Sequence, residues 1–351
     1  MYTKKRKLVT LVMAAVAALG AFASCGKETT KKPEPPTTDG TPASVSVYMP
    51  DGAPAMSMAK LMKEDTATDN ITYQVVEAST INTYVTGENP KADLCVLPLN
   101  LASKLLGTGE TYKLVGAVTH GNLYMVSSDA TVQYTRENLN TLVGKTVGVV
   151  QLQNVPGLTF KVVLNECQIA WQELTDGASP AADKVNLKAV TPDQVLPNAT
   201  GIACFVAPEP AASVKVDKTP LEFVGDLQAL YGSEKGYPQA VLVAKATLCA
   251  NYGGWVDTFA ASMSEAATWV NATTTQPEEI VNAVKSHLTS GLTPSLSTAN
   301  LSATAIAHSG VRFEKAIDYK TQINAFLEKL VAVNPSAAKA VADGFYYTSA
   351  K

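Results

Sequence analysis

Two carboxylates, a histidine and several amides stand where short apolar runs end in this 351-residue chain. Asp51 closes "VSVYMP" and is followed by Gly52, Ala53 and Pro54. Glu209 lies between Pro208 and Pro210 after "CFVA", and Thr119, His120, Gly121 and Asn122 close "YKLVGAVTHGN". A carboxylate so placed pairs with a cationic or hydroxylated ligand, or else stabilises the first turn of a following helix. His120 either donates to an anionic ligand or is a surface-loop histidine. The loop at Asp51 sits where a phosphate loop would, yet it has no GxGxxG and no Lys-Ser/Thr. His120, His287 and His308 are far apart and no Cys-x-x-Cys occurs, so no metal site and no cofactor are expected. No Cys-His pair or Schiff-base lysine motif marks a covalent catalyst.

These residues need elements to hold them, and the N-terminus says where. Lys4, Lys5, Arg6 and Lys7 precede an apolar run from Leu8 to Phe22, and Phe22-Ala23-Ser24-Cys25-Gly26 follows. The pattern predicts a signal peptide over residues 1–24, too short for a permanent membrane helix, with Cys25 as the lipidated first residue. Residues 25–42, rich in Lys, Thr and Pro, read as a disordered tether. Removing the signal leaves 24 basic against 31 acidic residues, a net charge near −7, which points away from nucleic acid as a partner. Cys95 and Cys204 lie in apolar runs and read as buried thiols. Export permits a disulfide, and Cys167–Cys204 is the pair to check first.

From residue 43 onward β-branched runs alternate with helical patterns, which predicts parallel β-α-β sheets. Strands are expected at 45–48, 72–77, 93–97, 113–119, 123–127, 146–150, 185–190, 201–206 and 239–244. Helices are expected at 54–62, 80–86, 100–106, 157–165 and 191–196, and in the tail at 254–271, 277–288 and 319–333. The segment "VSVYMPDGAPAMSMAKLM" (45–62) overlays "VGVVQLQNVPGLTFKVVL" (147–164) without a gap, Pro54 meeting Pro156. Further on, "LCVLPLNLASKL" (94–105) resembles "ACFVAPEPAASV" (203–214) with a one-residue shift at the proline. Two matches in the same order predict an α/β protein of two similar lobes with a ligand cleft at the carboxyl ends of the strands. Pro54 and Pro156 suit a first helical turn, and Ala53 and Val155 before them carry no capping oxygen.

The ordered set "PDGAPAMSMAKLM", "ADLCVLPLNLASKLL", "YKLVGAVTHGNLYMVSSD", "LVGKTVGVVQLQNVPGLTFKVVL", "FVAPEPA", "GYPQAVLVAK" and "DGFYYTSAK" resembles the solute-binding lipoproteins of bacterial ABC importers. The group is that of nitrate, sulfonate and thiamine-pyrimidine binders, and the likeness runs from Val45 to the C-terminus. It implies the type 2 periplasmic-binding-protein fold, with lobe 1 at 43–128, lobe 2 at 129–237, and a return crossover and helical part at 238–351 packing mainly on lobe 1. It also implies a monomer, membrane-anchored on the extracytoplasmic face, that closes on a small molecule and delivers it to an ABC permease without acting as an enzyme.

Carried over loop by loop, the resemblance makes Asp51, Gly52, Ala53, Ser79, Thr80, Asn100, Thr119, His120, Asn122, Gln153, Asn154, Glu209 and Tyr237 the ligand-binding candidates. Ser79 and Thr80 are alternatively helix caps, Asn100 caps its helix or faces the cleft, and Tyr237 would stack on a ring. The chain departs from its relatives at Leu97-Pro98-Leu99-Asn100, at Gln151 to Gly157 and at Ala207-Pro208-Glu209-Pro210, so substrate identity does not carry over. Beyond the signal the only arginines are Arg136 and Arg312. A neutral or weakly basic, partly aromatic solute therefore fits better than a strong anion. Two other readings stand beside this one: an enzyme on the same fold, like thiamine-pyrimidine synthases or menaquinone-pathway enzymes, and a sensory or surface binding protein without transport.

Overall fold

A computed structural model describes residues 40–66, 70–175, 177–233 and 235–349. The signal peptide, Cys25 and most of the tether lie outside the described residues.

The first lobe opens with β1 (Val45–Pro50), α1 (Ala53–Met56), α2 (Ala59–Glu64) and β2 (Ile71–Val76). It continues with β3 (Leu94–Pro98), α3 (Leu99–Leu106) and β4 (Tyr112–Thr119). The second lobe holds β5 (Leu123–Ser127), β6 (Thr146–Val150), α4 (Val155–Glu166), β7 (Trp171–Leu174) and β8 (Val185–Val190). After these come β9 (Cys204–Pro208), α5 (Ala211–Lys218), β10 (Glu222–Asp226) and α6 (Leu227–Tyr231). The chain then returns through β11 (Ala240–Lys245), α7 (Ala246–Asn251), α8 (Gly253–Val270), α9 (Pro277–Lys285), α10 (Ala303–His308), β12 (Val311–Lys315) and α11 (Lys320–Val333).

Two six-stranded sheets result, ordered β12-β4-β11-β3-β1-β2 and β10-β5-β9-β6-β8-β7. Neither is purely parallel, which corrects the expectation from the β-α alternation. β11 runs antiparallel to β3 and β4, and β5 runs antiparallel to β9 and β10. The cause is the crossing itself. β4 delivers the chain to the carboxyl edge of the first sheet, and three residues (120–122) reach no more than about 11 Å, so β5 must begin at the facing edge and run back. β11 does the same on return. β5 therefore belongs to the second lobe, and the crossing falls at 120–122 rather than after Ser128.

Read outward from the reversed strand, β4-β11-β3-β1-β2 matches β10-β5-β9-β6-β8. The internal repeat is thus a repeat of architecture, with one refinement. Val47 pairs with Leu94, four residues before Pro98, while Val147 pairs with Cys204, four residues before Pro208. On the sheets Val47 corresponds to Val147, two residues off the ungapped overlay. An even shift keeps every side chain on its face, and the two residues reappear in the loop before α4, four residues long where the loop before α1 has two.

The helix expected over 54–62 is broken into α1 and α2, and the segments after β2 and β8 form 3-10 turns at Ala78–Tyr84 and Pro192–Gln194. One apolar core runs through both lobes, from Leu97, Leu114 and Ala117 through Tyr237, Tyr319 and Phe326 to Leu158, Phe160 and Val149. The strut is α11, whose buried stripe Ile323, Phe326, Leu327 and Leu330 packs on α4 of lobe 2 and on α3 of lobe 1. The rest of the C-terminal part, β11, β12 and α7 to α9, packs on lobe 1, and α11 is the element that also reaches lobe 2.

The four described cysteines, Cys95, Cys167, Cys204 and Cys249, are free thiols, so Cys167 and Cys204 are not joined. No helix among the described residues is long and apolar enough to cross a membrane.

Candidate functional site

The carboxyl ends of β1, β2, β3 and β4 face those of β6, β8, β9 and β10 because both crossovers leave from that edge. The first crossover is 120–122. The second runs through α6 to Gln239, whose N–H donates to Thr119 O at 3.0 Å while its carbonyl accepts from Leu99 N at 2.9 Å. Thr119 Oγ1 accepts from Ala240 N at 3.1 Å. Gln228 clamps the two crossovers together: its Oε1 accepts from Leu123 N at 3.1 Å and from the Tyr237 hydroxyl at 3.3 Å. Asp226 caps α6 and accepts from Gln228 Nε2 at 2.8 Å, which fixes the amide's orientation. Gly236, at φ 69°, packs so closely that a Cβ there would lie 2.0 Å from His120 O.

Around this hinge the structure gathers Thr119, His120, Asn122 and Glu209 from the candidate set. His120 is buried, and neither ring nitrogen has a hydrogen-bond partner among the described residues. Its ring meets Tyr319 edge-on at 5.3 Å. Burial first, and the nearby Arg312 charge second, lower its pKa to about 3, so the ring is neutral at physiological pH. The surface-loop alternative does not hold. Among the described residues Asn122 Oδ1 is buried without a partner, and so is Gln239 Oε1.

Glu209 has no exposed side-chain surface. It accepts from Ser213 N at 3.0 Å and Ser213 Oγ at 2.9 Å, so it stabilises the first turn of α5, one of its two expected roles. Its third partner comes from the other lobe: His308 Nδ1 lies 3.2 Å from Glu209 Oε1.

The jaw loops are held from behind. Asp51 accepts from Gly52 N and from Ser295 N, tying the first loop to the segment before α10. Gly52 (φ 100°) precedes α1, whose first residue is the buried Ala53, and no side chain caps that helix. In lobe 2, Gln151 sits at φ 56° and the Gln153 amide donates to Glu173. Lys161, almost fully buried, donates to Glu173 Oε1 at 2.6 Å and to Leu152 O at 3.3 Å. A Cβ on Gly157 would lie 1.9 Å from Leu152 O, so only glycine lets this loop fold back on α4. Asn154 precedes α4 with an exposed side chain that makes no cap bond.

Other candidates are placed differently from their expected roles. Tyr237 is fully buried and stacks on Phe326 at 5.1 Å, so it cannot stack on a solute. Asn100 neither caps α3 nor stands free, since its Nδ2 donates to Ala337 O at 3.2 Å. Ser79 and Thr80 lie exposed inside the 3-10 turn rather than at its cap, and the Thr80 hydroxyl donates to Glu77 O at 2.9 Å. No sequence motif marks Gln239 or His308. Only the Asp-Leu-Gln run, a cap signal before α6, hinted at Gln228.

A cavity of about 340 Å³, lined by Tyr134, Lys145 and Cys204 among others, opens at the amino ends of β6 and β9. It is at the wrong end of the strands for the cleft. Among the described residues no group of three His, Cys, Asp or Glu could hold a metal.

No protein-family model matches the chain, and no curated protein matches it in sequence. Solved structures do match. An ABC transporter from Parabacteroides distasonis shares 18% identity at a TM-score of 0.63, over 87% of this chain and 99% of that one. The periplasmic aliphatic sulphonate binding protein SsuA from Escherichia coli shares 13% at 0.59, over 89% and 94%. The ligand binding component of an ABC-type import system from Staphylococcus aureus, with zinc bound, shares 12% at 0.54, over 87% and 96%. At these identities the likeness is one of fold: two mixed α/β lobes of the periplasmic-binding-protein type.

Proposed function

We propose that the chain is an extracytoplasmic solute-binding lipoprotein, anchored through Cys25, that closes on a small organic molecule and presents it to an ABC permease. The observation that carries this reading is the clamped pair of crossovers, 120–122 and 227–239, between two sheets of matching order. Such a joint lets two rigid lobes turn about a few residues, and a solute touching both lobes favours the closed state. The solute-binding roles named for the structural relatives support it, as does the leader sequence. A monomer acting without catalysis fits the same picture. Burial pushes the Cys95, Cys204 and Cys249 thiols above their usual range, the last two to about 12, so none is a ready nucleophile. The unpartnered acceptor atoms of Asn122 and Gln239, with no arginine or lysine among the candidate loops, favour a neutral or weakly basic solute that donates hydrogen bonds.

Mass spectrometry of small molecules that co-purify with the unheated chain, followed by calorimetry on each hit, tests the reading. We expect at least one solute to raise the melting temperature. If no sulfonate, pyrimidine, flavin or amine does so, the receptor reading fails.

A further inference from the structure

Three groups of lobe 2 form a corner slot that holds one ring, stacked on one wall and edge-on to the other. Tyr124 on β5 and Phe223 on β10 lie on neighbouring strands, their rings edge-to-face at 5.4 Å. The Glu209 carboxylate closes the end, fixed by the two Ser213 bonds. The group inside belongs to lobe 1. His308, the last residue of α10, stacks on Tyr124 at 4.3 Å and 19°, and meets Phe223 at 5.2 Å and 80°. Its Nδ1, placed to donate, faces Glu209 Oε1. All three walls stand on lobe 2 and keep their partners without His308, and the His308 side chain is 30% exposed where that of Glu209 is not exposed at all. An imidazole brought across a cleft into such a slot has the form of a tethered guest. The carboxylate at the end of the slot accepts hydrogen bonds and cannot donate one while ionised, so it selects a guest that donates.

We propose that the slot of Tyr124, Phe223 and Glu209 is a subsite for a flat nitrogen heterocycle bearing a ring N–H, and that His308 competes for it as an internal occupant. The proposal rests on the receptor reading and narrows its solute to heteroaromatic ring N–H donors of the imidazole kind. It also makes His308 an interlobe latch that a solute ring releases.

The test uses the full chain with His308→Ala and imidazole as the probe. We expect the variant to melt a few degrees below wild type and imidazole at about 50 mM to restore most of the loss while leaving wild type unmoved. Adding Glu209→Gln should abolish the rescue. Equal stabilisation of wild type and variant, or of neither, overturns the subsite. Should His308→Ala fail to fold, refolding in imidazole is the readout: recovered native protein supports the slot, and none overturns it. Failure of the two readings separates cleanly. Rescue by imidazole with no solute stabilising wild type leaves the slot and sinks the receptor. A solute that binds wild type without moving the His308 ring resonances sinks the slot and leaves the receptor.

Discussion

His120 shows what burial does to one side chain. A histidine whose ring nitrogens lack partners is tolerable only when neutral, and its pKa of about 3 is the thermodynamic form of that statement. The unfolded chain binds a proton near 6.5 and the folded chain only near 3. The stability this group protects is therefore full above pH 6.5 and is lost as pH falls toward 3, by roughly a few kcal/mol. His120→Phe keeps the edge contact with Tyr319 and removes the titration. We expect urea denaturation of that variant to lose less stability than wild type between pH 6.5 and 4, with little change at pH 8. An unchanged slope would mean that the ring is solvated or paired. Tyr237 teaches the opposite lesson: a tyrosine beside a proline at a crossover looks like a ligand platform, but its ring completes the core that the crossover is built on.

At the scale of elements, the loop between β6 and α4 is the jaw whose shape depends most on residues behind it. The positive φ of Gln151 costs on the order of 1 kcal/mol or more, and Lys161, Glu173 and Gly157 over-determine the turn that holds it. Partial burial opposes the charge on Glu173, but hydrogen bonds from Lys161 and Gln153 prevail and hold its carboxyl below the ordinary range. That contribution is present above the ordinary carboxylate pKa and is lost as pH falls through the lowered one. Glu173→Ala leaves Lys161 buried and uncompensated, and should cost about 3 kcal/mol, the low end for such pairs because Glu173 is a third exposed. Lys161→Met, an apolar replacement of similar length, should cost less than about 1 kcal/mol. In both variants we expect faster hydrogen exchange at Leu152 to Asn154 and weaker solute binding, with no change at the β1–α1 loop. Protection of Leu152 to Asn154 that matches wild type in Lys161→Met would show that Gly157 alone shapes the jaw.

Across the whole molecule, a continuous core joins the two lobes, and only two short crossovers carry the chain between them. α11 bears on both, because its buried stripe packs on α4 of one lobe and on α3 of the other. Phe326→Ala removes the face on which Tyr237 and Tyr231 pack and should cost about 3–5 kcal/mol. We expect one calorimetric transition in wild type and two in Phe326→Ala, since the cavity opens where the lobes are joined. A single, merely lowered transition would place the coupling in the crossovers.

The strand ends were legible in the sequence because β-branched runs broken by Pro and Gly carry a period that needs no partner to be read. The repeat was legible because both halves solve the same packing problem with the same order of elements. Strands 123–127, 146–150 and 185–190 were placed to the residue. β7, β10 and β12 were not, since "WQEL" and "EFVGD" lack an apolar alternation and the alternation in "VRFEK" covers only two apolar residues. The sequence alone determined the two-lobe α/β class, the loops from which a site would be drawn, and the charge that disfavours polyanions. Only the tertiary structure decided which of those loop residues are free. Asp51, Asn100, Gln153 and Glu209 are each bound by partners 20 to 244 residues away, and no local pattern reports a hydrogen bond closed across that distance. His308 is the clearest case, because its neighbours Tyr124, Glu209 and Phe223 come from the other lobe and meet it only when the chain has crossed twice.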